Sequence, residues 1–119
     1  MATTYQIQAK IGTSGQVSNA ALTTLEDDGT VSVSSLSSSQ LDADRNSEGK
    51  YEVDWNDIAT FDDKPAVSLT LYQTSDNGGK QSTVTIDDLS TTELSYTTVK
   101  SNGNKVDRAV SLFISGFKS

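Results

Sequence analysis

Apolar and polar residues alternate in a series of short runs after residue 49. In "AVSLTLYQ", valine and leucine alternate with hydroxyl-bearing residues, and the polar side ends in Tyr72. Similar alternation marks "KYEVDW", "STVTIDDL", "ELSYTTVK" and "RAVSLFISGF", with the turn-forming segments "FDDKP", "SDNGG", "LSTTE" and "SNGNKVD" between the runs. A period of two indicates strands with one buried face. Five short strands at roughly 8–12-residue spacing predict an all-β fold, an antiparallel β-sandwich or a barrel. With the possible N-terminal strands included, we expect about six or more strands.

The first 40 residues carry a weaker version of this pattern. "TYQIQAKIG" alternates and predicts a strand, and "TVSVSSL" predicts a second short strand with Val31 and Val33 turned inward. Between them, "SNAALTTLEDDG" is ambiguous, because Ser18 or Asn19 could cap a short helical turn. Residues 1–40 therefore either add strands to the sandwich or form a collar on an oligomer.

A polar segment, "SSSQLDADRNSEG", follows and is interpreted as a connector. It places the main sandwich at residues 41–119. Within that sandwich Trp55 is in phase with the apolar positions of its run, so we expect it in the core rather than on a binding surface.

The composition limits the classes of partner. Hydrophobic residues make up 34% of the chain, while serine and threonine together number 33 of 119. This low apolar content suggests that partner chains complete part of the core. The net charge of −7 opposes binding to nucleic-acid phosphates and to anionic membranes. No apolar run is long enough to span a bilayer.

The chain contains neither histidine nor cysteine. A Ser-His-Asp or Cys-His centre is therefore excluded, as are disulfides and the usual zinc sites. The acidic pairs in "FDD" and "DDL" could serve a glycosidase or bind calcium, but neither has the spacing of a known calcium loop. The sequence predicts a protein that is not an enzyme and has no resident cofactor, with structural calcium as the alternative.

From residue 42 to residue 117 the order of strands and turns resembles the H-type lectin domain. The residues that carry the resemblance are the run "F-x-x-x-P-x-V-x-L-x-L", a polar hairpin, "TVTI", "NGNKV" and the final "AVSLFISG". The resemblance implies a six-stranded antiparallel sandwich of the kind found in invertebrate agglutinins, discoidins and phage tail-fibre tips. It further implies a homo-oligomer, a trimer or hexamer, that binds glycans of the N-acetylgalactosamine or galactose type between subunits.

The resemblance also assigns candidate binding residues. An acidic residue and an asparagine precede the family's aromatic strand, and Asp44, Arg45 and Asn46 occupy that place here. The family's arginine after the polar hairpin is replaced by Ser82 or Thr83. Two further departures place Asn102 where the family has an aromatic residue or histidine, and Phe113 where it has tryptophan.

The polar hairpin after residue 72 is a second candidate site. Tyr72, Asp76 and Asn77 supply the aromatic face, carboxylate and amide that sugar recognition requires. The alternative is a plain turn, because Asn-Gly is a strong hairpin signal. The same alternative applies to Asn102, since asparagine tolerates the backbone of tight turns.

Together these observations predict a non-enzymatic oligomer that binds carbohydrate multivalently. The alternative is a structural or receptor-binding module of a phage tail fibre or similar assembly, without a sugar site. Because "MATTYQIQAK" lacks a basic start and an apolar middle, we expect no signal peptide. The protein is then cytoplasmic, released by a non-classical route, or part of a virion.

Overall fold

The computed structural model describes residues 2–72 and 82–119, and within them the protein is all-β. Two antiparallel sheets form a sandwich, which is one of the two all-β architectures that the alternating runs predict and the one that the lectin resemblance implies. The five-stranded sheet has the order β3-β2-β1-β9-β6, and the four-stranded sheet has the order β4-β5-β8-β7. The strands are β1 Thr3–Ile11, β2 Val17–Glu26, β3 Val31–Ser35, β4 Asp42–Ser47, β5 Lys50–Asp54, β6 Ala66–Leu71, β7 Thr83–Leu89, β8 Glu93–Val99 and β9 Val110–Lys118.

The core lies between the sheets and is built from the inward positions of the alternating runs. Trp55 is fully buried, as predicted, and its indole Nε1 donates to the Thr91 carbonyl oxygen at 3.0 Å. Tyr51 and Tyr96 stack in the four-stranded sheet with ring centroids 5.0 Å apart. The other buried apolar side chains are Ile7, Ala9, Ile11, Leu41, Val53, Ala59, Phe61, Leu94, Val110, Leu112 and Ile114.

β1 joins the N-terminal segment to the remainder of the fold. It pairs with β9 from Thr3 opposite Lys118 to Ile11 opposite Val110, and with β2 on its other side. β2 in turn pairs with β3. The five-stranded sheet therefore contains strands from both sides of the predicted boundary at residue 40. β1, β2 and β3 come before it, and β6 and β9 come after it.

The short helical turn considered for residues 18–25 is wrong, because these residues lie in β2. Leu22 sits opposite Ile7, so its side chain faces the core. Asn19, one of the two proposed caps, has a φ of 52°, and the β1–β2 register shifts beside it. The local asparagine signal thus marks an irregularity in a strand, and pairing on both sides overrides any helical preference.

The inward orientation expected for Val31 and Val33 is also wrong. Both side chains are exposed, at 58% and 71%. All residues of β3 are exposed, including Ser32 and Ser34, which face the side on which the core lies. β3 therefore projects beyond the edge of the four-stranded sheet, and no described residue covers either of its faces.

The segment interpreted as a polar connector contains a strand. β4 pairs with β5, with Asp42 opposite Asp54 and Asp44 opposite Glu52. Only Ala43 of this strand is half-buried. β4 shows no apolar alternation because it is an edge strand, and its stability comes from the main-chain ladder with β5 rather than from burial of side chains.

Candidate functional site

The predicted binding residues that the structure describes lie at one end of the sandwich, which we call the loop end. Residues 105–109 cross this end from one sheet to the other. Lys105 pairs with Val99 in the four-stranded sheet, and the Ala109 carbonyl accepts the Tyr72 N–H at 3.0 Å in the five-stranded sheet. Between them, Arg108 Nε donates to Ser82 Oγ at 3.3 Å. The crossing segment thus connects the ends of β8, β6 and β7.

Asp107 anchors this crossing segment. Its Oδ2 accepts a hydrogen bond from Arg45 Nε at 2.9 Å, which is also an ion pair. Its Oδ1 accepts from the Gly49 N–H at 2.7 Å and lies 3.0 Å from the Tyr51 hydroxyl. The same hydroxyl is 2.7 Å from the Thr13 carbonyl oxygen. One carboxylate therefore connects β4, the β4–β5 turn and β5, and through Tyr51 it reaches the β1–β2 turn.

The ionisation of this cluster follows from these contacts. Burial alone would raise the pKa of Asp107, but the Gly49 N–H, the Tyr51 hydroxyl and the Arg45 guanidinium lower it below its usual value of 3.8. Burial, followed by the neighbouring Asp107 carboxylate, raises the pKa of Tyr51 far above its ordinary value. The cluster therefore holds an ionised aspartate beside a neutral tyrosine, an arrangement suited to fixing loops.

The three residues carried over from the lectin pattern do not form one group in the structure. Arg45 lies opposite Tyr51 and is engaged by Asp107 at the rim. Asp44 lies opposite Glu52, so its side chain is on the outer face of the four-stranded sheet. Asn46 is exposed where the β4–β5 register shifts. Alternation along a strand separates Asp44 from Arg45, although they are neighbours in sequence.

Tyr72 presents an aromatic surface at the loop end. Its side chain is 58% exposed, and the Lys10 ammonium lies 4.7 Å from the ring centroid. Lys10 is opposite Ser111, which is opposite Thr70. The ring therefore lies beside a cation, on the same outer face of the five-stranded sheet as Thr70 and Ser111.

The remaining predicted residues have separate locations. Thr83 is exposed on β7 opposite Val99, on the outer face of the four-stranded sheet. The Asn102 side-chain oxygen accepts the Asn104 N–H at 2.9 Å, which is the turn role considered in the sequence analysis. Asp76 and Asn77 lie outside the described residues. Within a single chain, the described candidates thus share an end of the sandwich but not a pocket.

The outer faces of the two sheets differ in charge. In the described strands, the register places only one charged side chain, Lys10, on the outer face of the five-stranded sheet. Large apolar side chains are exposed there, Leu25 at 44% and Phe117 at 48% beside Val31. Leu25 on β2 lies opposite Val31 on β3. On its other side Leu25 lies opposite Thr4 on β1, and Thr4 in turn lies opposite Phe117 on β9. Away from Lys10, the register places no charged side chain on this surface, which is partly apolar.

The outer face of the four-stranded sheet is acidic, a feature that sequence reasoning missed. A shallow hollow on it is lined by Glu52, Asp88 and Glu93 together with Ser90, Leu94 and Ser95. Ser95 lies between Glu52 and Asp88, and it is opposite both. The carboxylates come from three strands, so only the register brings them together. The other carboxylates that the register or a hydrogen bond places on this face are Asp42, Asp44, Asp54 and Asp87.

In residues 2–72 and 82–119, no group of three or more carboxylates is arranged to hold a metal ion. The same part of the chain has no helix long and apolar enough to cross a membrane. No protein-family model matches the sequence, and neither the curated proteins nor the solved structures include a significant match.

Proposed function

We propose that this protein is a non-catalytic carbohydrate-binding module that acts as an oligomer. The observation that carries the proposal is the exposed Tyr72 ring at the loop end, with the Lys10 ammonium 4.7 Å from its centroid and with Thr70 and Ser111 on the same outer face. A sugar offers a C–H face to an aromatic ring and hydroxyls to polar neighbours. The side chains around Tyr72 supply both types of contact.

Lys10 contributes to this surface without blocking it. An exposed cation–π contact is worth about 0.5–1 kcal/mol, so a sugar ring can displace the ammonium or pack on the other face of Tyr72. The displaced ammonium can then donate to a sugar hydroxyl. Such a shallow surface gives weak binding at each site, and several sites on one oligomer would raise the apparent affinity by about 10²–10⁴-fold.

A glycan array with matched variants tests this proposal. Tyr72→Phe keeps the ring and removes only the hydroxyl, whereas Tyr72→Ala removes the stacking surface. We expect wild type and Tyr72→Phe to bind the same glycans and Tyr72→Ala to lose the signal. Equal binding by all three proteins would overturn the role of Tyr72.

The same array distinguishes the site carried over from the lectin pattern. Asp44→Ala and Asn46→Ala alter β4 and leave the Tyr72 surface unchanged. Loss of glycan signal in these variants, with Tyr72→Ala unaffected, would support recognition at β4 instead. Because Arg45 is engaged by Asp107 within the chain, we expect the Tyr72 surface to make the larger contribution.

A second candidate function is a structural module of a larger assembly, such as a phage tail fibre. The observation that favours it is the part of the five-stranded sheet's outer face away from Lys10, where Leu25, Val31, Val33 and Phe117 are exposed. Exposed apolar patches of this kind often mark protein interfaces. An oligomer in light scattering with no glycan signal on the array would favour this function over carbohydrate binding.

A further inference from the structure

Within residues 2–72 and 82–119, β3 is an edge strand that none of the usual protective features blocks. Its sequence, "VSVSS", contains no charge and no proline, and all of its residues are exposed. Edge strands normally avoid pairing with other chains through charged side chains, proline, bulges or a covering segment. The register of β3 with β2 is continuous from Val31 opposite Leu25 to Ser35 opposite Ala21. β3 is therefore a regular strand with one open side.

The hydrogen bonds at its two ends show which main-chain groups face that open side. Glu26 N–H donates to the Thr30 carbonyl at 2.9 Å, and Leu36 N–H donates to the Ala20 carbonyl at 2.9 Å. In an antiparallel ladder, successive residues alternate between bonding one neighbour and facing the other. The N–H and C=O groups of Val31, Val33 and Ser35 therefore point to the open edge.

We propose that β3 pairs in antiparallel fashion with β3 of a second copy of this chain, about a twofold axis at Val33. Val33 then lies opposite Val33 of the second copy, and Val31 lies opposite Ser35. Val31 and Ser35, whose main-chain groups face the open edge, are two residues before and two residues after Val33. The main-chain donors and acceptors of one edge therefore match those of a second copy turned by 180°, as a twofold interface requires. The pairing forms about six main-chain hydrogen bonds, two for each residue pair, and joins the two five-stranded sheets.

The distribution of charge favours this partner and this direction. Asp27 and Asp28 are in the turn that precedes β3. Antiparallel pairing places these turns at opposite ends of the joint, whereas parallel pairing would bring them together. On a chain of net charge −7, the uncharged β3 edge is a place where two copies meet without strong repulsion. A basic partner would instead be drawn to the acidic face of the four-stranded sheet.

Edge pairing buries less surface than a standard interface of about 800 Å² per partner. We therefore expect association that depends on concentration, observed between about 10 μM and about 1 mM. This inference does not rest on carbohydrate binding. The Tyr72 surface and β3 are at opposite edges of the five-stranded sheet, because Tyr72 directly follows β6 and β6 and β3 are its two edge strands.

Cysteine cross-linking provides a direct test, because the natural chain contains no cysteine. In the proposed pairing, the Cα atoms of Val33 and its copy are about 5.5 Å apart, which a disulfide can bridge. The two copies of Val31 are separated by about 13 Å along the strands, which is too far. Under mild oxidation we expect Val33→Cys to form a covalent dimer and Val31→Cys, which is also at an exposed position, to stay largely monomeric. Equal cross-linking of both, or of neither, would overturn the pairing.

Sedimentation of two further variants tests the role of the main chain. Val33→Pro removes an N–H that faces the open edge and leaves the β2–β3 bonds in place, and edge strands tolerate proline at such positions. Val33→Thr keeps the N–H and the branched shape. We expect wild type and Val33→Thr to self-associate and Val33→Pro to be at least tenfold weaker. Unchanged association of Val33→Pro would overturn the proposal, whatever the glycan array reports for Tyr72.

Discussion

Arg45 and Asp107 are 62 residues apart in sequence, and their side chains meet with Nε and Oδ2 separated by 2.9 Å. Arg45 is on the edge strand β4, and Asp107 is in the segment that crosses between the sheets. The pair attaches the crossing segment to the four-stranded sheet. Of the two residues, Asp107 contributes more to stability, because its carboxylate also accepts a hydrogen bond from the Gly49 N–H.

Removing Asp107 should therefore destabilise the protein more than removing its cationic partner. Asp107→Ala leaves the half-buried Gly49 N–H and Tyr51 hydroxyl with one acceptor fewer, and we expect a loss of about 1–3 kcal/mol in the free energy of unfolding. Arg45→Gln removes an ion pair at the rim, and we expect a loss of about 0–1 kcal/mol. Urea titrations of the two variants check the order. An equal loss in both would show that the ion pair dominates.

The lowered pKa of Asp107 predicts an acid-sensitive contribution to stability. A group whose pKa is lower in the folded state stabilises the fold fully above its unfolded pKa, near 3.8, and that contribution is lost as the pH falls through the folded value. We expect the difference in unfolding free energy between wild type and Asp107→Asn to be constant above about pH 5 and to shrink below about pH 4. Hydrogen bonds with Thr30 also lower the pKa of Asp28. Because Asp28 is present in both proteins, its effect on the unfolding free energy cancels in the difference. A difference that does not vary with pH would contradict the prediction.

The stacked pair Tyr51 and Tyr96 provides a matched comparison of buried hydroxyls. Among the described residues, the Tyr96 hydroxyl has no hydrogen-bond partner, whereas the Tyr51 hydroxyl lies near two acceptors. We expect Tyr96→Phe to be neutral or stabilising, because it removes an unpaired polar group from the core. Tyr51→Phe should cost about 1–3 kcal/mol. Thermal unfolding of both variants tests this, and a larger loss for Tyr96→Phe would mean that its hydroxyl has a partner.

Gly116 is required by close packing against Phe61. A Cβ atom added at Gly116 would lie 2.5 Å from the Phe61 ring, which also contacts Tyr5 with centroids 5.9 Å apart. We expect Gly116→Ala to cost about 1–3 kcal/mol, because the ring must shift within the core. The adjacent Ser115→Ala, on the outer face, should change stability by about 0.5 kcal/mol or less. Urea denaturation with Trp55 fluorescence as the signal measures both, and similar values would indicate that the core accommodates the extra methyl group.

The sequence predicted the strands after residue 49 well because each has one buried face. Tyr51, Val53, Leu94 and Tyr96 are buried as their alternation indicates. Alternation also predicted that Val31 and Val33 face the core, which is wrong, because alternation alone does not reveal whether a second sheet covers a strand. It was absent for β4, because a strand exposed on its outer face and at its edge can be polar throughout. The sequence did not reveal how the predicted site residues lie relative to one another. Alternation separates Asp44 from Arg45, and Asn102 serves the turn.

By itself, the sequence determined the all-β class, the positions of most core residues and the absence of histidine and cysteine chemistry, since these depend on composition and on local periodicity. Only the tertiary structure decided that Asp107 meets Arg45, that seven carboxylates share one outer face, and that β3 has an open edge. Each of these depends on which strands become neighbours and in which register. Contacts between distant segments set that register, and periodicity along the chain carries no information about it.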